Sequence, residues 1–226
     1  MGRLAVILGS NALGPGGDGI AAAAAEHGAA IVQRHGGPDL PYVLPHEIDH
    51  AANLRSLAEQ GCDRVLGIGS VGSLKLDLPV GSFVCPHDFI GLQLGISSLD
   101  DATAHRTPGF DRAWRGEVLA AWDGEQVPLR DGGVYWQTVG PRFETPAEIR
   151  LLGTHADLVG MTIAAECIVA GELGLSYAAV CIVDNLANGI GAAPLSVAAI
   201  EADRVANAIR LREALTTLLP QLGALG

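Results

Sequence analysis

Basic residues are scarce in this sequence. Lys and Arg total 14 against 25 Asp and Glu, which gives a formal net charge of −11. A nucleic-acid-binding surface neutralises phosphates with Lys and Arg, so this balance argues against a nucleic-acid partner. An acidic protein can still bind a small anion where its few basic side chains are gathered in one site. Aromatic residues make up only 4% of the chain, so we expect a core packed from small and β-branched residues.

Metal, redox and membrane motifs are also missing. The four cysteines are scattered, and the sequence has no Cys-x-x-Cys pair, which argues against zinc and redox sites. Reduced, buried thiols in a cytoplasmic protein are the expected state. The apolar runs are too short to span a membrane, and the first one is too short for a signal peptide. We therefore expect a cytoplasmic protein with no metal site and no membrane partner.

Short apolar runs alternate with helical patterns along the chain. Strands are predicted at residues 4–8, 64–68, 82–85, 134–138, 158–159 and 178–183. Helices are predicted at 46–60, 145–152, 162–173 and 196–219, with a polar loop at 97–112. Continuous apolar runs are typical of strands that are covered on both faces. The pattern predicts an α/β fold, a single domain over residues 1–226 with a mixed central sheet flanked by helices.

Polar or glycine-rich segments follow several predicted strands, at the end of the strand where α/β sheets bind ligands. Gly9-Ser10-Asn11 can hold an anion with backbone N–H groups and a hydroxyl. Arg34-His35-Gly36 suits a phosphate clamp. Gly67-Ile68-Gly69-Ser70-Val71-Gly72 lets the backbone approach a ligand closely, and Asn185 closes the last apolar strand. Taken singly, each segment is at least as well explained by a turn or by a solvated surface pair.

The loop Gly140-Pro141-Arg142-Phe143-Glu144-Thr145-Pro146 is unusual for a connector. Connectors are mostly small and polar, so an aromatic side chain beside a carboxylate indicates a flat ligand with a polar edge. Thr145, Pro146 and Glu148 form a capping-box pattern for the helix that follows. Val159-Gly160-Met161-Thr162 comes soon after, with Glu166 inside the next predicted helix.

These segments, in this order, resemble those of the purine nucleoside phosphorylase and methylthioadenosine phosphorylase family. The resemblance covers most of the chain, from Ile7 to the last helix, and is more specific in the second half. It implies a single α/β domain with a distorted mixed sheet, assembled as a homo-oligomer, a trimer or a hexamer, with active sites near subunit boundaries. It also implies a purine nucleoside and inorganic phosphate as substrates, with no metal or organic cofactor.

The resemblance also implies roles for individual residues. Phosphate would be held by Ser10, Arg34, His35, Ser70 and Thr162. The ribose would contact Met161, and the purine would contact Phe143, Glu144, Asn185 and, in a shifted register, Asp184. The residues expected to act in catalysis are Asn185, Glu144 and His35.

The residues also indicate which purine base and which 5′ substituent the substrate carries. Glu144 is an acceptor for the N1–H of a 6-oxopurine, and the Asn185 amide fits O6 and a protonated N7. Adenine-preferring relatives carry Asp at that strand end, so a shift of one residue to Asp184 would favour adenine instead. Residues 193–198 have no His for a 5′-hydroxyl, and an apolar lining there favours a 5′-deoxy or 5′-methylthio sugar.

Two other functions are compatible with the same residues. A nucleosidase would use water in place of phosphate, although Arg34-His35 would then have no anion to hold. A non-catalytic nucleoside-binding protein would have lost part of the phosphate site. Gly69 and Asp49-His50 depart from the family's usual residues, and the stretch between Ser10 and Arg34 is shorter than in typical relatives.

Overall fold

The computed structural model describes residues 2–10, 18–37, 40–125, 127–192 and 197–224. The strands are β1 Arg3–Leu8, β2 Ala30–Gln33, β3 Cys62–Ser73, β4 Phe83–Cys85, β5 Asp88–Ile90, β6 Leu129–Asp131, β7 Val134–Gln137, β8 Leu158–Gly160 and β9 Ser176–Leu186. The helices are α1 Asp18–Glu26, α2 His50–Glu59, α3 Arg112–Trp122, α4 Pro146–Leu152, α5 Ile163–Glu172 and α6 Val197–Ala224. No helix in these ranges is long and apolar enough to cross a membrane.

Within the described residues, nine strands form one mixed sheet. Seven of them follow the order β5-β7-β8-β3-β9-β4-β6, and β1 pairs with both β2 and β3. The central strands β1, β2, β3 and β9 are mutually parallel, whereas β8 and β4 run antiparallel to their neighbours β3 and β9. The β3–β9 pairing shifts register between Val71 and Gly72. The predicted α/β fold with a distorted mixed sheet is therefore confirmed.

Helices cover both faces of the central strands, because successive strand residues point to opposite faces. On one face, Leu66 and Ile182 pack with Trp114 of α3 and Leu215 of α6. On the other face, Val65 and Val183 pack with residues of α2 and α5. Both sets of side chains are buried, which explains why the strand sequences are apolar without alternation.

The predicted elements correspond to observed ones, with shifted ends. The second helix begins at His50 rather than residue 46, because Pro45–Glu47 forms a separate 3-10 turn. Asp49 caps α2 by accepting a hydrogen bond of 2.8 Å from the N–H of Ala52. The predicted start of the last helix at Ser196 lies outside the described residues, and the helix continues past residue 219. The short strands β5 and β6 were not predicted, since three residues carry little periodicity, and β2 was recognised only as the apolar pair before Arg34.

Candidate active site

A cavity of about 270 Å³ opens at the carboxyl ends of β1, β2, β3 and β9. These strands are parallel, so the residues that follow or end them meet at one edge of the sheet. All of the predicted site residues except Asp184 line this cavity: Ser10, Arg34, His35, Ser70, Phe143, Glu144, Met161, Thr162 and Asn185. The structure thus gathers segments that are far apart in the chain.

Arg34 is anchored at one end of the cavity and is almost fully buried. Its Nη1 donates to Thr162 Oγ1, and its Nη2 donates to the backbone oxygens of Ile7 at 3.2 Å and Ile68 at 2.8 Å. Because the Thr162 oxygen accepts from Arg34, the Thr162 hydroxyl hydrogen is left to donate to a ligand. The alternative of a solvated surface pair is wrong for Arg34. A fixed guanidinium and a polarised hydroxyl make this end of the cavity suited to an anion.

Glu166 holds Arg34 from the side of α5. Its Oε1 lies 3.0 Å from Arg34 Nε, and its Oε2 accepts a 2.5 Å hydrogen bond from the Tyr177 hydroxyl. Burial raises the pKa of Glu166, and Arg34 and the Tyr177 hydroxyl oppose that shift. The Tyr177 hydroxyl fits only because residue 67 is glycine, since a Cβ there would lie 2.0 Å from the phenolic oxygen. The sequence revealed Glu166 as an acidic residue in a helix but not this contact.

His35 lies beside Arg34 and stacks on Tyr42, with ring centroids 4.8 Å apart. His35 Nδ1 is 2.8 Å from the backbone oxygen of Val43. A carbonyl only accepts, so Nδ1 carries the hydrogen and Nε2 of the neutral ring is an acceptor. Burial lowers the pKa of His35 to about 4, with Arg34 and Arg204 adding to the shift. A neutral ring suits a protonated phosphate oxygen or a sugar hydroxyl better than a bare oxyanion.

Glu144 occupies the other end of the cavity and is buried. Its Oε1 accepts a 2.6 Å hydrogen bond from the Thr138 hydroxyl, and its backbone oxygen accepts from Asn188 Nδ2 at 3.2 Å. The capping box is confirmed, with Thr145 and Glu148 bonded reciprocally at the start of α4. The carboxylate is therefore held by Thr138 and the backbone of Glu144 by Asn188, and the remaining carboxylate lone pairs can accept from a ligand.

Asp184 and Asn185 point in different directions. Asn185 lines the cavity, and its Nδ2 donates to the backbone oxygen of Leu186 at 3.0 Å. Asp184 is fully buried behind the cavity wall, where it accepts hydrogen bonds from Ser70 Oγ and from Asn207 Nδ2 of α6, the latter at 2.6 Å. This geometry favours the register with Asn185 toward a ligand. Because the Ser70 hydroxyl donates to Asp184, only the Ser70 backbone N–H or the oxygen lone pairs are left for a ligand.

Comparison with known proteins identifies the family. A sequence profile of the Phosphorylase superfamily matches residues 16–220. The chain belongs to this superfamily. Its similarity to a probable 6-oxopurine nucleoside phosphorylase of Archaeoglobus fulgidus is 48% identity over 164 residues, which cover 71% of this chain and 66% of the relative. A probable S-methyl-5′-thioinosine phosphorylase of Methanothermobacter thermautotrophicus is 38% identical, over 74% of this chain and 59% of the relative. The match thus spans less than two thirds of the length of these two relatives.

Solved structures share the fold. Methylthioadenosine phosphorylase from Schistosoma mansoni, in complex with tubercidin, superimposes with a TM-score of 0.80. The superposition covers 99% of this chain and 92% of that chain, at 20% sequence identity. At that identity the likeness establishes the fold of this phosphorylase-superfamily member.

Several residues of this superfamily member line the cavity without having been predicted: Tyr42, Leu44, Pro45, Asn188, Ile200 and Arg204. An aromatic residue in a proline-containing connector was a usable signal for Tyr42. The sequence contains no such signal for Arg204, because a charged residue in a long helix is normally assigned to the solvent-exposed face.

Proposed function

We propose that the chain cleaves the N-glycosidic bond of a purine nucleoside with phosphate, giving a free purine and a ribose 1-phosphate. The observation that carries this proposal is that one cavity contains both a group of donors suited to phosphate and a group of side chains suited to a purine. Arg34 and Thr162 offer N–H and O–H donors at one end, and Glu144 and Asn185 offer a carboxylate and an amide at the other. The names of the two relatives, a probable 6-oxopurine nucleoside phosphorylase and a probable S-methyl-5′-thioinosine phosphorylase, support the same reaction class.

The proposed reaction uses these groups as follows. The bond between C1′ and N9 breaks with its electron pair going to the purine, and a phosphate oxygen forms the new bond to C1′. Positive charge on the sugar is stabilised by the phosphate that Arg34 and Thr162 hold. The electron pair of the broken bond is balanced by a proton that N7 takes from solvent, so the purine leaves as a neutral base. The Asn185 amide accepts from this N7–H and donates to O6, which stabilises the charge as it builds. Met161 lines the cavity and would pack against the ribose, and Phe143 would face the purine ring.

A 6-oxopurine is the proposed base. Glu144 Oε1 already accepts from Thr138, which leaves the other carboxylate oxygen to accept from the N1–H of hypoxanthine or guanine. An adenine N1 has no hydrogen and would place a lone pair against this carboxylate. The burial of Asp184 behind Ser70 and Asn207 is the second support, since it removes the adenine-type carboxyl from the cavity.

Three further properties belong to the same proposal. Phosphate is the co-substrate and no metal or organic cofactor is used. The chain assembles as a homo-oligomer, a trimer or a hexamer. The support is an apolar surface around Leu92, which is 81% exposed. Leu92 lines a second cavity of about 870 Å³ together with Val139, Leu151 and Glu144. A second copy covering this apolar surface would border the active site through Glu144. A cytoplasmic location fits the four free, buried cysteines.

A nucleosidase and a non-catalytic binder are the competing functions. The anchored Arg34 argues against both, because neither needs a buried cation with an adjacent free donor. The test is a panel of inosine, guanosine, adenosine and their 5′-methylthio forms, each assayed with and without phosphate. Phosphate-dependent release of hypoxanthine and guanine is expected. Equal release in phosphate-free buffer would favour the nucleosidase, and binding of hypoxanthine without turnover of any nucleoside would favour the binder.

A further inference from the structure

The cavity has a wall that the proposed phosphate and purine contacts do not use. Tyr42, Leu44, Pro45, Ile200 and Arg204 form this wall, which we call the α6 wall. α5, which carries Glu166, and α6, which carries Arg204, pack on opposite faces of the central sheet. Ile200 and Arg204 of the α6 wall therefore come from the helix on the opposite face of the sheet to Glu166.

Arg204 is the charged member of the α6 wall, and its guanidinium is loosely held. Its Nη1 donates to Glu201, a carboxylate whose side chain is 58% exposed, whereas the Arg204 side chain is 20% exposed. Its Nε is buried and has no hydrogen-bond partner among the described residues. Arg34, by contrast, has both Nη atoms bonded, to Thr162 and to two backbone oxygens, and its Nε forms an ion pair with Glu166 at 3.0 Å. Arg204 thus keeps one buried donor, Nε–H, without an acceptor among the described residues, which is unfavourable until a ligand supplies one.

Arg204 also lies near His35, the neighbour of Arg34 in the cavity. Its charge helps to lower the pKa of His35, and it acts on Tyr42, which stacks on His35. A nucleoside with its base at Glu144 and its C1′ facing the Arg34 end has one part left to place, the 5′ carbon with its substituent. The α6 wall is the part of the cavity that remains for it.

We propose that Arg204 is a specificity-determining residue that donates a hydrogen bond to the 5′-oxygen of the nucleoside. This inference rests on the proposed function and deepens it, since it makes 5′-hydroxyl nucleosides the preferred substrates. A 5′-methylthio sulfur is a weak acceptor and a 5′-methyl is none, so either would leave the buried Nε–H of Arg204 without a good acceptor. A site built to bond a hydroxyl rejects the analogue that lacks it. The apolar 5′ lining expected from residues 193–198 lies partly outside the described residues, and the α6 wall adds a cation to it.

The test compares inosine with 5′-deoxyinosine, two substrates that differ by one oxygen. The wild-type protein should prefer inosine by about 10- to 100-fold in kcat/KM, the range for a hydrogen bond to a charged group. Arg204→Met should abolish this preference by slowing inosine alone, and Arg204→Lys should keep part of it. Arg212→Gln is the matched control, because it removes one positive charge from the same helix at a residue that packs over Gly19. It should leave the preference unchanged.

Two kinetic results would overturn the proposal. One is an equal loss for both nucleosides with a raised phosphate KM, which would assign Arg204 to phosphate. The other is an unchanged preference in Arg204→Met. Calorimetric binding of both nucleosides without phosphate separates this inference from the proposed function. If no nucleoside is turned over but inosine binds more tightly than 5′-deoxyinosine, and Arg204→Met removes that difference, the proposed reaction is refuted and the role of Arg204 is supported. If neither nucleoside binds, both proposals are refuted.

Discussion

Replacing Glu166 by Gln tests how the anion end of the cavity is held together. In the native protein, Arg34 Nε faces Glu166 Oε1 at 3.0 Å, and the Tyr177 hydroxyl donates to Oε2 at 2.5 Å. A Gln side chain has one acceptor and one donor group. If its oxygen accepts from Tyr177, its NH₂ meets the Nε–H of Arg34, so two donors oppose each other. The other orientation sets the NH₂ against the Tyr177 hydroxyl.

The magnitude follows from burial. The side chains of Arg34 and Glu166 are 1% and 2% exposed, so Arg34 would be left as a buried cation without its carboxylate. Removing one partner of such a pair costs about 3–5 kcal/mol of unfolding free energy. Tyr177→Phe is the milder companion change, because it removes only the hydrogen bond to the carboxylate and should cost about 1.5–3 kcal/mol. Glu117→Gln, an exposed glutamate on α3, should change the unfolding free energy by less than about 0.5 kcal/mol.

Urea unfolding with and without phosphate measures both the loss and its cause. An uncompensated Arg34 should bind phosphate more strongly than the native pair does, so phosphate should stabilise Glu166→Gln more than the wild type. The catalytic rate should nevertheless fall, because Arg34 loses one of the contacts that orient it. A loss below about 1 kcal/mol in phosphate-free buffer, or an equal phosphate effect in both proteins, would refute the view that Glu166 balances the charge of Arg34.

Three other predictions concern the remaining groups of the cavity. Glu144→Ala should lower kcat/KM for inosine by about 10- to 100-fold relative to adenosine; unchanged inosine kinetics would make the carboxylate structural. Asn185→Ala should lower kcat more than it raises KM, because the bonds of Asn185 to the purine strengthen as charge builds on the base. Asp184→Asn should mainly lower the unfolding midpoint. Loss of turnover in Asp184→Asn with normal turnover in Asn185→Ala would instead favour the adenine-type register. The pKa of His35 is lowered from 6.5 to about 4, so the unfolded chain takes up a proton before the folded one does. This group's contribution to stability is complete above about pH 6.5 and falls by up to about 3 kcal/mol as the pH drops to 4; His35→Gln should flatten that part of a pH series of urea unfolding, and an identical slope would show that His35 is not the group responsible.

The sequence predicted the fold and most of the cavity for the same physical reason. Parallel strands that are buried on both faces read as apolar runs, and the residues that follow them must meet at one edge of the sheet. Ser10, Arg34 and Asn185 were identified by that rule, and all three line the cavity. Glu144 was found by a different signal, an aromatic and a carboxylate side by side in a connector.

What the sequence could not supply are contacts that depend on the packing of distant segments. The direction of the Asp184 side chain depends on the register shift between β3 and β9. The sequence shows two adjacent polar residues, Asp184 and Asn185, but not that register shift. Arg204 belongs to a helix whose buried side is mostly apolar, so its helical spacing predicts a solvent-exposed charge. Its place in the cavity follows from how the start of α6 meets Tyr42, which local periodicity does not encode.

The walls of the cavity are themselves held by bonds between distant parts of the chain. Arg34 and Thr162 are 128 residues apart, and Ser70 and Asp184 are 114 residues apart, yet each pair is joined by a direct side-chain hydrogen bond. Such bonds exist only after the sheet has assembled, so the donors of the anion end are aligned by the fold and not by the ligand. A preorganised site of this kind spends no binding energy on orienting its own groups, which is the condition for strong electrostatic stabilisation of a charged transition state. It follows that substitutions at Glu166, which holds a residue of the anion end in place, should affect catalysis and folding stability together.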